Sequence, residues 1–351
     1  MSSIIQDISE VGASLRTLMN MVNDVVSLGS MYKGVGRVFL VGAGSSYYAS
    51  MYAVTHALRS KGRCILAVPS SEFIYYHSGL VNSSSLVVAI SRSGETAETL
   101  EALRVAKGNG AGTVMLSISE GKGLDFIDHY VRVDVGQERS VVMTKSFIAL
   151  SAAAAVLIDT IVGNNIDHGR VLSTLSSCID GMLNDKGMLM TLSKVAGEWA
   201  SGGVSRFIFL GHGSSYPMAL ESALKFEETS YTAVQALNAL EFRHGPVATV
   251  GERQAIVVLN QSDTMSGSVI KLFNELNDRA RGSETRVLMV TNVNEVNGSG
   301  VVKVNCSTGL GEWDSLALVV PVYLLAYYYA LSKGVDVERP RNLVRVVVLI
   351  D

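Results

Sequence analysis

Three titratable residues, Glu221, Lys225 and Glu228, stand four and then three positions apart, a spacing that puts two carboxylates and an ammonium on one face of an α-helix. A carboxylate tuned by burial and by a neighbouring cation is suited to moving a proton between adjacent atoms. The trio shares its surroundings with Ala219, Leu224 and a serine-rich turn, which points to a partly enclosed site, while Glu227 points elsewhere. An exposed ion pair would read the same way and would contribute only a few tenths of a kcal/mol. After a non-helical break, Glu241 and His244 add a second carboxylate and an imidazole. A different set, Ser45, Ser46, Ser91, Ser93 and Thr96, lies in two loops that each follow an apolar run and precede a helical pattern. Hydroxyls, backbone N–H groups and helix N-termini converging there would cradle a phosphate monoester, with Arg92 adding charge. Capping and turn formation are the alternative use of such residues. Neither the GxGxxG nor the GxxxxGK[ST] spacing occurs, so a nucleotide is disfavoured and no cofactor or metal is expected.

The elements that position these groups follow from apolar periodicity. Phe207–Leu210 reads as a strand ending in Gly211-His212-Gly213-Ser214-Ser215 and feeding the Glu221 helix. Val38–Val41 runs likewise into Gly42-Ala43-Gly44-Ser45-Ser46, with a helix to about Ser60 and a strand near Cys64–Val68. Ser71-Glu72-Phe73 open a helix, Leu86–Ile90 is a strand ending at the Ser91 loop, and Ala97–Lys107 is a helix. The pattern restarts near residue 206: Gly44 to Ser91 and Gly213 to Asn260 both span 47 positions. Thr113–Ser117 then corresponds to Arg286–Val290, and Tyr130–Val135 to Val301–Val304. Such self-similarity predicts two tandem copies of one α/β unit, each a flavodoxin-like parallel sheet with helices on both faces. The expected organisation is an N-terminal helix over 1–33, a phosphate-binding unit over 34–165 and a helical linker over 166–205. A catalytic unit over 206–335 and a tail over 336–351 complete it. In the second copy Asn260-Gln261-Ser262-Asp263 lacks the serine pattern, and Asp263 would repel a phosphate. The first copy therefore holds the phosphate and the second transfers the proton.

Composition narrows the partner. With 29 basic and 32 acidic residues and no basic run, neither a nucleic-acid nor a polybasic membrane surface is expected, so the partner is small. Ser146–Val162 and Leu316–Leu331 are apolar, yet shorter than the roughly 20 residues a bilayer requires. They read as helices buried between layers or at a subunit contact. Cys64, Cys178 and Cys306 are far apart and odd in number, so no disulfide and no zinc site is expected, and an intracellular, cytoplasmic setting follows. The polar N-terminus shows no secretory signal.

The motifs together resemble the sugar isomerase (SIS) family, in particular the isomerase half of glucosamine-6-phosphate synthases. The matching segments are G-S-S-Y from Gly44, S-E-F from Ser71, S-R-S-G-E-T from Ser91, T-K-S-F from Thr144, Y-P-M-A-L-E-S-A-L-K from Tyr216, E-F-R-H-G-P from Glu241 and P-R-N-L from Pro340. The resemblance implies that Ser45, Ser46, Ser91, Ser93 and Thr96 bind the sugar phosphate. It implies further that Glu228 moves a proton between C1 and C2, and that His244 opens the pyranose ring from the neighbouring subunit of a homodimer. Lys225 and Glu221 would line the sugar, and Glu138 would contact its far end.

Three departures shape the expected activity. The chain begins Met1-Ser2 without a glutaminase segment, Arg92 stands where the family has Gln, and Arg345 stands where it has a lysine near the open-chain sugar. A guanidinium stays protonated and is a poor imine former, so a binding role for Arg345 survives and an imine role passes, if anywhere, to Lys225. The expectation is a phosphosugar aldose–ketose enzyme, foremost a glucosamine-6-phosphate deaminase releasing ammonia. A hexose-phosphate isomerase and a fructosamine-phosphate deglycase are its rivals, and a non-catalytic phosphosugar sensor is the alternative of another class.

Overall fold

The computed structural model describes residues 2–58, 63–121 and 124–346. In chain order it forms α1 (Ser3–Ser9), α2 (Val11–Asn20), α3 (Val22–Met31), β1 (Arg37–Gly42), α4 (Ser45–Thr55), β2 (Cys64–Pro69) and a single turn α5 (Ser70–Glu72). Then follow β3 (Ser85–Ile90), α6 (Ala97–Gly108), β4 (Gly112–Ser117), β5 (His129–Arg132), α7 (Lys145–Val162), α8 (His168–Asn184) and α9 (Lys186–Ser201). The second half contains β6 (Arg206–Gly211), α10 (Ser215–Ser230), β7 (Ala233–Asn238), β8 (Ala255–Asn260), α11 (Ser266–Ala280), β9 (Arg286–Thr291), β10 (Val301–Lys303) and α12 (Gly311–Ser332).

Each half builds a five-stranded sheet in which every pairing is parallel, ordered β2-β1-β3-β4-β5 and β7-β6-β8-β9-β10. The central strands β3 and β8 are buried at every position, which is why they read as unbroken apolar runs rather than alternating ones. The strand order is the flavodoxin-like 2-1-3-4-5, with its switch point between the first and third strands of each copy. The matched spacing of the sequence thus corresponds to matched topology. β7 escaped the sequence reading, because Ala233–Asn238 is an edge strand with exposed or half-buried residues and lacks an apolar stripe, and β8 entered it only through the match of the Asn260 loop to the Ser91 loop.

Chain contacts divide the molecule into two compact units. One comprises Ala13–Glu138, Met143–Ser173 and the tail from Val344; the other comprises Met1–Gly12, Arg139–Val142 and Thr174–Leu343. The single helix expected over 1–33 is three, with breaks at Glu10 and Met21. In the second unit, α1 packs on α12, and its buried Asp7 accepts the amide N–H of Ser140 at 2.7 Å. In the first unit, α3 packs on α7. The helix read as running to Ser60 ends at Thr55, and Ser60 lies outside the described residues.

Both long apolar helices are interior. The most apolar 18-residue stretch of α7 is 94% buried and that of α12 is 78% buried, so their hydrophobicity is accounted for by packing within the protein. The cysteine expectation is corrected: Cys178 and Cys306 are joined in a disulfide, with Cα atoms 5.3 Å apart, while Cys64 is free and exposed. A sequence separation of 128 residues carried no sign of that proximity.

Candidate active site

In the first unit the β1–α4 turn is set by glycine. A Cβ on Gly42 would lie 2.7 Å from the carbonyl carbon of Ser46, and Gly44 has φ of 54°, so the chain reverses there only without side chains. Ser45 and Ser46 consequently open α4, both nearly buried. Across the switch point, Ser91 Oγ lies 3.2 Å from Thr96 Oγ1 and accepts the Gly94 N–H, while Ser93 Oγ accepts the Glu95 N–H. Thr96 occupies the N-cap position of α6 without capping it, since its side chain makes no bond to the helix N–H groups. Capping therefore does not account for this hydroxyl, whereas part of the Ser91 and Ser93 bonding shapes the loop itself. The Arg92 carbonyl accepts from Ser117 Oγ and Ser119 Oγ, which ties the loop to the end of β4.

Beside this loop is a cleft of about 370 Å³ lined by Arg92, Ser93, Glu95, Ile118, Ser119, Gly136, Gln137, Glu138, Arg345 and Val346. Four expected site residues, Arg92, Ser93, Glu138 and Arg345, meet there. Ser45, Ser46, Ser91 and Thr96 are not in its lining. Glu138 is buried and its carboxylate is committed to the protein: it accepts the N–H groups of Thr144 and Ser146 and the Ser146 hydroxyl, and it lies 3.5 Å from Arg92 Nη1. The sugar contact expected of that carboxylate is thus replaced, in this structure, by a cap on α7. Arg92 also donates to the Arg345 carbonyl at 2.9 Å, and the Arg345 guanidinium donates to the Glu138 carbonyl. The two arginines that depart from the family pattern are therefore joined through Glu138.

In the second unit, α10 is fixed by aromatic packing. Phe226 on its inner face lies 4.5 Å from Phe207 of β6 and 5.7 Å from Tyr329 of α12, measured between ring centroids. This packing leaves one polar face along the helix. Lys225 Nζ is 3.2 Å from Glu221 Oε1 and 2.5 Å from Glu228 Oε2, so the ammonium bridges both carboxylates. Glu221 and Lys225 are buried, whereas the Glu228 side chain retains 17% of its exposure. Burial pulls the Lys225 amine down, yet the charges of Glu221 and Glu228 outweigh it and hold Lys225 above the ordinary lysine value. A buried, protonated lysine held from two sides is poorly disposed to form an imine.

Glu228 opens on a pocket of about 220 Å³ lined with Leu224, Glu227, Tyr231, Arg341 and Leu343. Glu227, read as pointing elsewhere, shares this lining. Tyr231 ends α10 in the left-handed region at φ of 55°; its hydroxyl accepts the Arg341 N–H at 2.9 Å, and the Arg341 guanidinium sits 3.9 Å from its ring centre. Tyr231 and Arg341 were missed as pocket residues, although Arg341 lies inside the quoted P-R-N-L motif. His244 is exposed on the turn after β7 and does not line the Glu228 pocket of its own chain.

The second switch point is closed from within. Gly211 and Gly213 repeat the tight turn, with Gly213 at φ of 49°, but Ser215 Oγ donates to Gln261 Oε1. Asp263 accepts from Gln261 Nε2 at 2.7 Å and from the N–H groups of Met265 and Ser266, and it lies 3.0 Å from His212 Nε2. Burial pushes the Asp263 carboxyl up, but these donors and the His212 partner bring it below the usual range. The protein's own carboxylate thus occupies the end of α11 where a ligand anion would bind.

The SIS domain family matches residues 31–159 and 204–296. Glutamine–fructose-6-phosphate aminotransferases (isomerizing) of Bacteroides thetaiotaomicron and Xylella fastidiosa are 32% and 33% identical over 88% and 90% of this chain. The chain spans about half the length of these relatives, 50% and 52% respectively. Among solved structures, glucosamine-6-phosphate deaminase of Thermotoga maritima superposes with a TM-score of 0.75 at 26% identity, covering 99% of this chain and 100% of that one. The C-terminal domain of the Francisella tularensis aminotransferase gives 0.79 at 24% identity, covering 96% and 98%, a likeness of fold.

Proposed function

We propose, from the premise that this chain belongs to the SIS domain family, that it is a phosphosugar aldose–ketose enzyme in which Glu228 relocates the proton between C1 and C2. The observation that carries the reading is the arrangement on α10: a carboxylate at the mouth of a pocket, backed by a buried ammonium that a second, fully buried carboxylate holds in place. Proton transfer between adjacent carbons needs one base held over both and a substrate anchored away from the reacting atoms. The anchor is the sugar's phosphate, taken by the Ser91–Thr96 loop with Ser45 and Ser46 at the N-terminus of α4.

Arg92 and Arg345 supply charge at the edge of that cradle, and Glu138 fixes the arginines. Glu221 and Lys225 serve Glu228 rather than the sugar directly. His244, exposed and outside the Glu228 pocket of its own chain, acts on the ring oxygen of a substrate held by a second copy, so the working form is a homodimer. The preferred reaction is deamination of glucosamine 6-phosphate to fructose 6-phosphate and ammonia; the whole-chain similarity to the Thermotoga maritima deaminase supports it. We place the enzyme in the cytoplasm.

Incubation with glucosamine 6-phosphate, with ammonia and fructose 6-phosphate assayed separately, tests this. Both products should appear in equal amounts. Ketose formation from a hexose phosphate without ammonia would make the protein a plain isomerase, and release of an amine only from a fructosamine phosphate would make it a deglycase. No turnover of any of them, with the ligand still raising the melting temperature, would overturn the enzymatic reading.

A further inference from the structure

The charged trio on α10 has a fourth member that neither the motifs nor the family match contains. Tyr323, near the middle of α12, is 1% exposed, and its hydroxyl donates to Glu221 Oε1 at 3.3 Å. That same oxygen is the one 3.2 Å from Lys225 Nζ, which in turn lies 2.5 Å from Glu228 Oε2. Hydroxyl, carboxylate, ammonium and carboxylate therefore form one line, from the interior of α12 to the mouth of the pocket. α12 packs along α10, so the position of the hydroxyl is set by the core rather than by solvent. A buried carboxylate is costly unless donors surround it, and such networks act as a unit.

We propose that Tyr323 is a positioning residue for Glu228, acting through Glu221 and Lys225; this rests on the reading of Glu228 as the proton carrier. Its hydroxyl shares Glu221 with Lys225 and so limits how far Glu221 draws the ammonium away from Glu228. Without it, Glu221 takes more of Lys225, and the ammonium no longer holds the Glu228 carboxylate at the angle the substrate carbon requires. The ring contributes packing, and the hydroxyl contributes aim.

Tyr323→Phe keeps the ring and removes only the donor. On the substrate that the native protein turns over, kcat should fall about tenfold while KM stays within about twofold, as expected for one hydrogen bond to a charged group felt only in the reacting geometry. The primary isotope effect with C2-deuterated substrate should rise, because proton transfer becomes more nearly rate-limiting. A tenfold fall with an unchanged isotope effect and a reduced active fraction would mean a structural role and overturn the proposal, as would kcat at the native level. A second measurement needs no substrate. In protein labelled with ¹⁵N-lysine, the Lys225 ammonium resonance, assigned through Lys225→Met, should shift and exchange faster in Tyr323→Phe; an unchanged resonance contradicts the proposal. Retained turnover in Glu228→Gln would instead sink the underlying reading of the base, and the Lys225 resonance would still report on Tyr323.

Discussion

Where β1 and β3 part, Ser45 and Ser46 open α4, and across the switch point Ser91 and Ser93 bond to Thr96 and to the N–H groups of their own loop. Where β6 and β8 part, the same strand order and the same glycine turn lead to a crevice plugged by Gln261 and Asp263 against His212 and Ser215. The topology offers an anion site at both switch points, because strand ends and helix N-termini converge at each. Which of them takes an outside anion is decided by a few side chains. In the second copy the anion is built in, and the titratable chemistry has moved one element along, onto the face of α10. On the proposed reading, a duplicated fold separates gripping from proton transfer without changing its architecture.

Removing the base should break this comparison most severely. Glu228→Gln should lower kcat by about 10³-fold while leaving sugar-phosphate affinity within about twofold, measured by steady-state kinetics and calorimetry. Parallel loss of both would return Glu228 to a structural role. Next in size is complementation between copies. Glu228→Gln and His244→Ala are each expected to be inactive alone, and when unfolded and refolded together they should recover about a quarter of native activity, since half the dimers are hybrids and each hybrid has one intact site of two. No recovery would place His244 in its own chain's chemistry or outside the chemistry altogether.

The double change Ser93→Ala with Thr96→Ala should weaken glucosamine 6-phosphate binding by about 10- to 100-fold and leave unphosphorylated glucosamine unaffected. Equal weakening of both ligands would show that the loop does not read the phosphate. The smallest effect is expected at the plugged crevice, where Asp263→Asn should cost about 1 kcal/mol by thermal or urea unfolding at neutral pH and leave turnover intact. The sign of its pH dependence follows from the lowered folded-state value of Asp263. The carboxylate stabilises the fold above the unfolded value of about 3.9 and ceases to do so as pH falls through the folded value, so native and variant stabilities should converge in acid. A variant that remained less stable by the same margin at pH 2 would remove His212–Asp263 from the account.

The duplicated fold and the charged face of α10 were legible in the residues. The 47-residue repeat, the serine loop and the i, i+4, i+7 spacing of Glu221, Lys225 and Glu228 are local patterns, and local patterns survive into a fold. What stayed hidden depends on distant parts of the chain meeting. Glu138 is placed at the sugar by the resemblance alone, and nothing in its sequence neighbourhood shows that its carboxylate accepts from Thr144 and Ser146. Tyr323 and Glu221 are 102 positions apart and Cys178 and Cys306 are 128, and in an apolar helix a tyrosine is one core residue among many. The N-terminal helix looked continuous because apolar periodicity carries through Glu10 and Met21, whereas its segments belong to different units.

The central claim is that phosphate recognition and proton relocation serve one substrate. It is tested most directly by giving the protein glucosamine 6-phosphate deuterated at C2, beside glucosamine deuterated at the same carbon, and following the label by NMR. Loss of deuterium from C2 of the phosphorylated sugar, to C1 or to solvent, with none from the free sugar, is the predicted result. Deuterium retained in both, or lost equally from both, would contradict the account.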